Sequence, residues 1–561
     1  MNNGKKKVGN RVKPFLSGVL LTLTLVIFVQ ARTTDSYFEI SKNLDIFTNI
    51  FKELNTNYVD PIAPGELIKT GIDAMLNELD PYTNYITESD IEEFEFQTTG
   101  KYGGIGATMR KNGDTIRVGE VHEYSPAHKA GLHPGDRLIS VDNKSVVGKS
   151  LNDISVLLKG APGTQLNIKI KDIYTGQVID KIIVRGEIEV SSVPYAGFVG
   201  DKNDIAYVRL TQFTQACSRQ VRSALDSLKK VNPNMTAVVL DLRNNPGGLL
   251  NEAVATCNLF VDRGQLIVST KGKRKEIGQN FNTNDKPWDT KMPLAVLINR
   301  SSASASEIVS GTIQDLDRGV IIGERSYGKG LVQTTRPLGY NARLKLTTAK
   351  YYTPSGRCIQ ALDYSHRNED GSVGHVPDSL KKEYKTKSGR KVLSGGGVEP
   401  DIDVDNKDIS QLAVTLYMKG YIFDYATQYA KKNSSIADPA KFKLSDAEYT
   451  AFAKWLEGKD YSYKTETEVA LDSLKSVAKR ENRFDDFAST YKDLEKKLAH
   501  NKNDDLNTYK KEVSTFLESE IISRYYYLRG RISHGLTDDK YIASAVTTLN
   551  ATTEYSAILK P

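Results

Sequence analysis

Cysteine is scarce in this chain of 561 residues. Its three cysteines, Cys217, Cys257 and Cys358, are too few for a disulfide-dense scaffold, and an odd number leaves at least one thiol unpaired in a monomer. The sequence contains no CxxC and no HExxH motif, and its seven histidines do not cluster at metal-ligand spacing. We therefore expect no protein-bound zinc site and no cofactor.

Long apolar runs are also scarce, and one stands out at Phe15 to Val29. It is shorter than the roughly 20 residues of a comfortable membrane span. Residues 1–31 also carry five basic residues and no acid, and the small residues Val29 and Ala31 suit a cleavage site. This layout predicts an export signal over 1–31, with an uncleaved membrane anchor as the alternative and a buried core helix as a weaker one. We expect the body of the protein in the periplasm or cell envelope, at the inner membrane if the anchor is kept.

A strong charge excess is absent once that segment is set aside. The whole chain has 76 Lys+Arg against 69 Asp+Glu, a net charge of +7. Without the five basic residues of 1–31, the body would hold 71 basic and 69 acidic residues. Such a near-neutral body gives no support for a nucleic-acid partner. The hydrophobic fraction of 39% and charged fraction of 26% are ordinary for globular domains and argue against wholesale disorder.

Patterning divides the body into four segments and predicts a multidomain α+β fold. Apolar residues at 4-3-4-3 spacing from Ile40 to Leu54 indicate an amphipathic helix, so residues 36–97 are predicted to be a small helical region. Residues 98–187 contain short alternating runs, turn signals and one clear helix at about 151–159, which indicates a compact, mostly β module.

The second half of the body changes character. Strands alternate with helices over 190–405, which predicts a layered α/β domain. Within it, the polar and glycine-rich stretch 364–397 is predicted to be an exposed loop. Residues 406–561 lack strand signals and follow helical periodicity, so a charge-rich helical domain is expected there.

The first candidate for chemistry is the serine-rich stretch Asn299–Glu307, which joins an apolar strand to a helix. A serine in the first helical turn lies near free N–H groups and the positive end of the helix dipole, which suits a nucleophile that generates an oxyanion. Serine is also a common helix cap, so N-capping is the alternative for any one of these serines.

A serine nucleophile needs a base, and a lysine between two glycines, Lys329, is the candidate. A lysine acts as a general base only when it is neutral, so burial would have to lower its pKa. Gln333, four residues on, offers an uncharged carbonyl that can orient the amine. A surface lysine in a glycine turn is the alternative.

A third element is the segment Asp241–Gly248, directly after an apolar strand. Its paired glycines, Gly247 and Gly248, can present backbone N–H groups as an oxyanion hole. A strand-ending turn explains the same residues equally well.

Together these motifs resemble the C-terminal processing peptidases, or tail-specific proteases, a family of serine endopeptidases. The resemblance covers about residues 40–405, and the order and spacing of its motifs make it specific. The motifs are Asn57–Asp60, Leu79–Tyr82, Tyr102–Gly106, Ser125–Ala127, Ala130–Asp136, Asp241–Gly248, Ser302–Glu307, Gly323–Gln333, Thr348–Gly356 and Gly397–Asp401.

The resemblance implies a Ser–Lys dyad assisted by glutamine. The family's serine precedes Ala-Ser-Glu and its lysine lies in Gly-Lys-Gly, so the counterparts here are Ser304, Lys329 and Gln333. The backbone N–H of Ala305, with that of Gly247 or Gly248, would form the oxyanion hole. Residues 190–405 would then be the serine protease domain, with a Clp protease/crotonase-like layered fold.

The resemblance also implies that residues 98–187 are a PDZ module that captures protein or peptide substrates by accessible C-termini. Successive backbone N–H groups make an anion nest, and an exposed strand edge accepts a peptide. Three apolar members of the predicted site would line a side-chain pocket or, alternatively, belong to the core. The predicted peptide-binding residues are Gly103, Gly104, Ile105, Gly106, Ile154 and Leu158. The oligomeric state and the role of the C-terminal helices stay open.

Four other functions are weaker. A penicillin-recognising enzyme would use Ser326–Lys329 as S-x-x-K and Lys69–Gly71 as K-T-G, but their order is wrong and S-D-N is absent. A PDZ adaptor on an inactive protease scaffold would not need an intact Ser304 and Lys329. An acyl-coenzyme A enzyme conflicts with export, and a Cys–His protease lacks activating residues around its cysteines.

Overall fold

The computed structural model describes residues 37–405, 409–498 and 502–560. The predicted export signal or anchor over 1–31 therefore lies outside the described residues. The chain divides into two compact units, and the boundary between them along the sequence lies between Tyr85 and Ile86. In the part that is described, no helix is both long enough and apolar enough to cross a membrane.

The first unit is helical, as its apolar spacing predicts. Residues 37–57 form helix α1, and α2 runs over Pro64–Asn77, with its proline in the first turn, where a missing N–H is tolerated. A short strand, β1 (Asn84–Ile86), follows at the boundary between the units.

The second unit begins with helix α3 (Ile91–Thr99) and a β-rich module. Its sheet has the order β3-β4-β5-β7-β8 with β6 beside β5, and β2 pairs with β9 in a separate ribbon. Alternate residues of the strands are buried, which produces one core between the sheet and the helices. The elements are β2 (Lys101–Gly104), β3 (Ala107–Asn112), β4 (Thr115–Val121), α4 (Pro126–Lys129), β5 (Arg137–Val141), β6 (Lys144–Ser145), α5 (Leu151–Leu158), β7 (Gln165–Lys171), β8 (Val178–Val184) and β9 (Gly186–Glu189).

The layered segment that follows is built on a six-stranded sheet of order β10-β11-β12-β15-β16-β23, parallel except for β10. A second sheet contains β17, β18, β13 and β14 in that order. The elements are β10 (Tyr195–Val199), β11 (Ile205–Arg209), α6 (Cys217–Val231), β12 (Ala237–Asp241), α7 (Leu250–Cys257), β13 (Leu266–Gly272), β14 (Gln279–Asn282), β15 (Leu294–Ile298), α8 (Ala305–Asp315), β16 (Val320–Gly323), β17 (Leu331–Pro337), β18 (Arg343–Tyr352), β19 (Leu362–Arg367), β20 (Val373–His375), β21 (Glu383–Lys385), β22 (Lys391–Leu393) and β23 (Ile402–Asp403).

The prediction of an exposed loop over 364–397 is wrong. The stretch contains two small antiparallel pairs, β19 with β20 and β21 with β22. Their strands are short and polar, so they lack the apolar alternation by which a strand is recognised in sequence.

The C-terminal segment is helical throughout its described residues. Its elements are α9 (Gln411–Met418), α10 (Tyr421–Lys432), α11 (Asp446–Trp455), α12 (Glu466–Arg480), α13 (Ala488–Leu498), α14 (Lys502–Thr508), α15 (Lys510–Gly535), α16 (Lys540–Asn550) and α17 (Thr552–Leu559). Helix α16 packs Ile542 and Leu549, and α17 packs Tyr555 and Leu559, against one face of the six-stranded sheet. Because α6, α7 and α8 cover the other face, the last helices complete the α/β core.

The helical segment also contacts the β-rich module through charged and polar pairs. Arg117 on β4 lies 2.7 Å from Asp424, and Arg531 on α15 lies 2.7 Å from Glu120. These ion pairs join the β-rich module to the C-terminal helices within the second unit.

Candidate active site

Ser304 lies between β15 and α8, at the start of the helix that the serine-rich stretch predicts. Its backbone has φ 56° and ψ −111°, a strained conformation for a residue with a side chain. Ala305 is the first residue of α8, and its N–H has no acceptor among the described residues. This N–H is therefore available to a ligand, at the positive end of the helix.

Gly247 and Gly248 pack closely against neighbouring backbone. A Cβ atom on Gly247 would lie 2.7 Å from the Ala303 oxygen, and one on Gly248 would lie 2.3 Å from the Phe213 oxygen. The Gly247 N–H donates to Asn245 Oδ1 at 2.9 Å, whereas the Gly248 N–H has no acceptor in the described part of the chain. The Gly248 N–H is therefore available to a ligand, whereas the Gly247 N–H is already used.

A buried carboxylate, Glu307, connects the serine loop with the lysine loop. It is wholly buried and accepts hydrogen bonds from four donors on both loops. The donors are the Ser304 N–H at 2.7 Å, the Ser326 hydroxyl at 2.6 Å, the Gly328 N–H at 2.7 Å and the Lys329 N–H at 2.9 Å. Burial raises the pKa of Glu307 to about 7, against the pull of these donors. Glu307 thus holds the backbone of Ser304 and of Lys329, the candidate nucleophile and base.

Tyr351 on β18 makes a second connection between the loops. Its hydroxyl donates to the Lys329 oxygen at 2.6 Å and lies 3.1 Å from the Ser304 oxygen. Burial raises the pKa of Tyr351 well above its ordinary value, so the hydroxyl keeps its proton for these bonds. Glu307 and Tyr351 both lie in motifs noted in the sequence, but a motif does not reveal which contacts its residues make.

One cavity of about 400 Å³ brings together Ser304, Ala305, Lys329, Gln333 and the two glycines. The Gln333 side chain donates from Nε2 to Thr347 Oγ1 at 3.0 Å. The remaining lining residues include Phe94, Gln97, Gln212, Thr335, Lys345 and Tyr351. Among the residues that the structure describes, no aspartate or glutamate lines this cavity, and its charged side chains are those of Lys329 and Lys345.

A second cavity, of about 450 Å³, opens on the β-rich module between α3, β3 and α5. Of the six predicted peptide-binding residues, Ile105, Gly106 and Leu158 line it. Gly103 and Gly104 belong to β2 and pair with β9. Ile154 is fully buried in the core of the module, outside the cavity. The cavity is mainly apolar, with Tyr102, Met109 and Leu151 among its lining residues.

Other chemistry finds less support. Cys217 and Cys257 are buried, and burial raises the pKa of the Cys257 thiol to about 12, so neither is an activated nucleophile. The motifs of the penicillin-recognising alternative have other contacts. Ser326 is buried and its hydroxyl is bonded to Glu307, while Lys69 forms an ion pair with Asp73 on α2.

One cluster among the described residues, His133, Asp136 and Asp172, has the spacing of a metal site. Asp136 already accepts the N–H groups of His133 and Ile173, and Asp172 accepts those of Tyr174 and Thr175. These carboxylates therefore serve the turns around them.

Comparison with known proteins agrees with this geometry. Residues 204–365 match peptidase family S41, residues 117–172 match a PDZ domain, and residues 412–549 match the C-terminal helical domain of probable PDZ-proteases. A carboxy-terminal-processing protease from Bartonella bacilliformis is 37% identical over 350 residues, which cover 62% of this chain and 80% of that protein. This chain belongs to the carboxy-terminal-processing proteases.

A probable CtpA-like serine protease from Staphylococcus aureus is 34% identical over 343 residues, covering 61% of this chain and 67% of that protein. The solved photosystem II D1 C-terminal processing protease shares 26% identity and a TM-score of 0.35, over 65% of this chain and 93% of that one. The chain is a serine-type peptidase with a PDZ domain, an S41 protease domain and a C-terminal helical domain, which confirms the predicted multidomain α+β fold.

Proposed function

We propose that this carboxy-terminal-processing protease is an endopeptidase with Ser304 as its nucleophile and Lys329 as its general base. The observation that carries the proposal is the cavity that brings together Ser304, Lys329, Gln333 and two backbone N–H groups without an acceptor among the described residues. A nucleophile, a base and oxyanion donors are the groups that acyl transfer requires.

The reaction has two halves. In the first, neutral Lys329 takes the Ser304 proton while Oγ attacks the carbonyl carbon of the scissile bond. The leaving amine then receives that proton, and an acyl-enzyme remains. In the second half, water attacks the ester and Lys329 takes its proton. Lys329 then gives that proton to Ser304 Oγ as the new C-terminus departs, which regenerates the hydroxyl and the neutral amine. Gln333, which is held by Thr347, keeps a carbonyl oxygen available to orient the lysine amine.

The oxyanion hole is assigned to the N–H groups of Ala305 and Gly248. Gly247 is the less suitable glycine because its N–H already bonds the Asn245 side chain. An oxyanion would have to break that bond, whereas it would meet the Gly248 N–H without loss.

The PDZ groove is proposed to hold the substrate's C-terminal tail. Its apolar walls of Ile105, Met109 and Leu158 suit a hydrophobic last residue, and the backbone at Gly106, which also lines the groove, is the proposed partner of the terminal carboxylate. A peptide with an amidated C-terminus should therefore show a higher KM than the same peptide with a free carboxylate.

The proposal includes export from the cytoplasm, which rests on the basic and apolar pattern of residues 1–31. Cell fractionation followed by N-terminal sequencing of the mature protein tests it. A mature chain that starts near residue 32 in the envelope fraction is expected, and an intact chain in the cytoplasm would contradict it.

The assignment of the dyad is tested by cleavage of a quenched fluorescent peptide. Ser304→Ala and Lys329→Ala should each lower kcat/KM by at least about 10³-fold, because each removes a group that reacts. Matched controls are Ser301→Ala, at an exposed serine of the same loop, and Lys350→Ala, at an exposed lysine of β18. Cleavage near the wild-type rate by either dyad variant would refute the assignment.

A further inference from the structure

The strand β18 carries a row of side chains that runs outward from the dyad along one wall of the cavity. Tyr351 touches the backbone of Ser304 and Lys329, Thr347 bonds Gln333, and Lys345 also lines the cavity. Thr347 and Lys345, two positions apart, share one face of the strand because side chains alternate, whereas the pairing register shifts between Ala349 and Thr347. The register pairs Gln333 with Thr347 and Thr335 with Lys345, so Lys345 lies one inward-facing position beyond the glutamine.

Lys345 is a partly buried lysine without a counter-charge among the described residues. No described residue forms an ion pair or a side-chain hydrogen bond with it. Arg343, on the same strand, lies 3.7 Å from Glu95, and Lys350 is exposed to water. Burial alone lowers the pKa of Lys345. A partly desolvated ammonium without an anion costs free energy, which a carboxylate ligand would recover.

We propose that Lys345 is a specificity-determining residue that binds a carboxylate of the bound peptide substrate. The proposal rests on the proposed function, because the cavity must hold a peptide across Ser304. Lys345 lies two residues along the strand from Thr347, the partner of Gln333, which is a distance of roughly 7 Å. The recognised carboxylate should therefore lie within a few residues of the scissile bond. It comes from an aspartate or glutamate side chain or from the free C-terminus of a short tail.

The test is a peptide series cleaved by the full-length protein. Each peptide carries one glutamate at one of four positions on either side of the scissile bond, and its partner carries glutamine there. Wild type should prefer glutamate over glutamine by about 10-fold in kcat/KM at one position, mainly through KM. K345M should bring that ratio close to 1, and K345R should retain most of it.

Matched controls separate the outcomes. K350M changes an exposed lysine of β18 that does not line the cavity, and it should keep the wild-type ratio. A second peptide arm compares short tails with free and amidated C-termini; a preference for the free form that K345M abolishes supports recognition of the terminal carboxylate. A free-form preference that K345M leaves unchanged is the one expected of the PDZ groove and gives Lys345 no role. The proposal is overturned if K345M changes neither the glutamate preference nor the free-form preference, which includes a wild type with no preference in either arm. A wild type that cleaves none of the peptides contradicts the proposed function instead.

Discussion

The cavity around Ser304 and the groove of the PDZ module have similar volumes, about 400 and 450 Å³, but they are built in different ways. The cavity is assembled from loops that follow separate strands and are held by buried hydrogen bonds to Glu307 and from Tyr351. The groove lies between a strand and a helix whose inner residues form one apolar core.

This difference indicates what each site depends on. Acyl transfer needs atoms placed within fractions of an ångström, so the cavity should be sensitive to single hydrogen bonds and close backbone contacts. Tail capture needs apolar surface and a free strand edge, so the groove should respond gradually to lost contacts. Changes in the cavity should therefore lower kcat, and changes in the groove should raise KM.

Outside the dyad itself, the largest effect is expected at the oxyanion loop. Gly248→Ala places a Cβ atom 2.3 Å from the Phe213 oxygen, so the loop must shift and its N–H must move. We expect kcat to fall by about 10²- to 10³-fold with a smaller change in KM, measured by steady-state peptide cleavage. Gly339→Ala, where a Cβ meets nothing within 4 Å, is the control. A Gly248→Ala enzyme with unchanged kcat would remove Gly248 from the oxyanion hole.

Glu307→Gln should have the next largest effect. An amide cannot accept on both of its polar atoms, so at least one bond to the serine loop or the lysine loop is lost. We expect kcat to fall by about 10- to 100-fold while the protein stays folded by circular dichroism. Ser301→Ala serves again as the control for the loop, and a Glu307→Gln enzyme with wild-type kcat would contradict the positioning role.

The titration of Glu307 should make the free energy of unfolding depend on pH. Because its pKa rises from 4.5 to about 7 on folding, the folded state binds more protons between those values. Its contribution to the free energy of unfolding is thus complete below about pH 4.5 and lost by about pH 7, a change on the order of 3 kcal/mol. Urea unfolding of wild type and Glu307→Gln across this range measures the difference. Parallel curves would show that Glu307 does not titrate as described.

A substitution in the groove of the PDZ module should raise KM rather than lower kcat. Leu151 lines it and is 43% exposed, so Leu151→Asp puts a charge on an apolar wall without opening the core. We expect KM for tail-bearing substrates to rise by about 5- to 30-fold with kcat nearly unchanged. Val156→Asp, on the same helix but 68% exposed and outside the groove, is the matched control. A drop in kcat with unchanged KM would break the comparison between the two sites.

Tyr351→Phe should give the smallest change. It removes the hydroxyl that bonds the Lys329 and Ser304 oxygens, while Glu307 still joins the two loops. We expect kcat to fall about 3- to 10-fold and the free energy of unfolding to drop by about 1 kcal/mol. Kinetics and urea unfolding of the same preparation measure both, and a loss as large as that of Glu307→Gln would show that Tyr351 is the main connection.

The fold could be predicted from sequence wherever apolar periodicity was strong. The helix predicted at about 151–159 is α5 (Leu151–Leu158), and the segments predicted to be mostly β and to alternate strands with helices contain those elements. Periodicity shows that a residue is buried but not what covers it, so the packing of α16 and α17 on the protease sheet could not be foreseen.

In the candidate site, too, the sequence identifies residues but not their contacts. Motif order singles out Ser304 and Lys329, whereas the bonds of Glu307 to residues about 20 positions away exist only in the folded chain. On α5, Ile154 and Leu158 have the same character in sequence, and only the structure separates the core residue from the one that lines the groove.

The central claim, that Ser304 forms the acyl-enzyme in this cavity, is tested most directly by mass spectrometry of the enzyme trapped during turnover of a tail-bearing peptide. The account predicts an adduct equal to the N-terminal fragment of the peptide, mapped to Ser304 and absent from Ser304→Ala. An adduct on another residue, or the same adduct in Ser304→Ala, would contradict it.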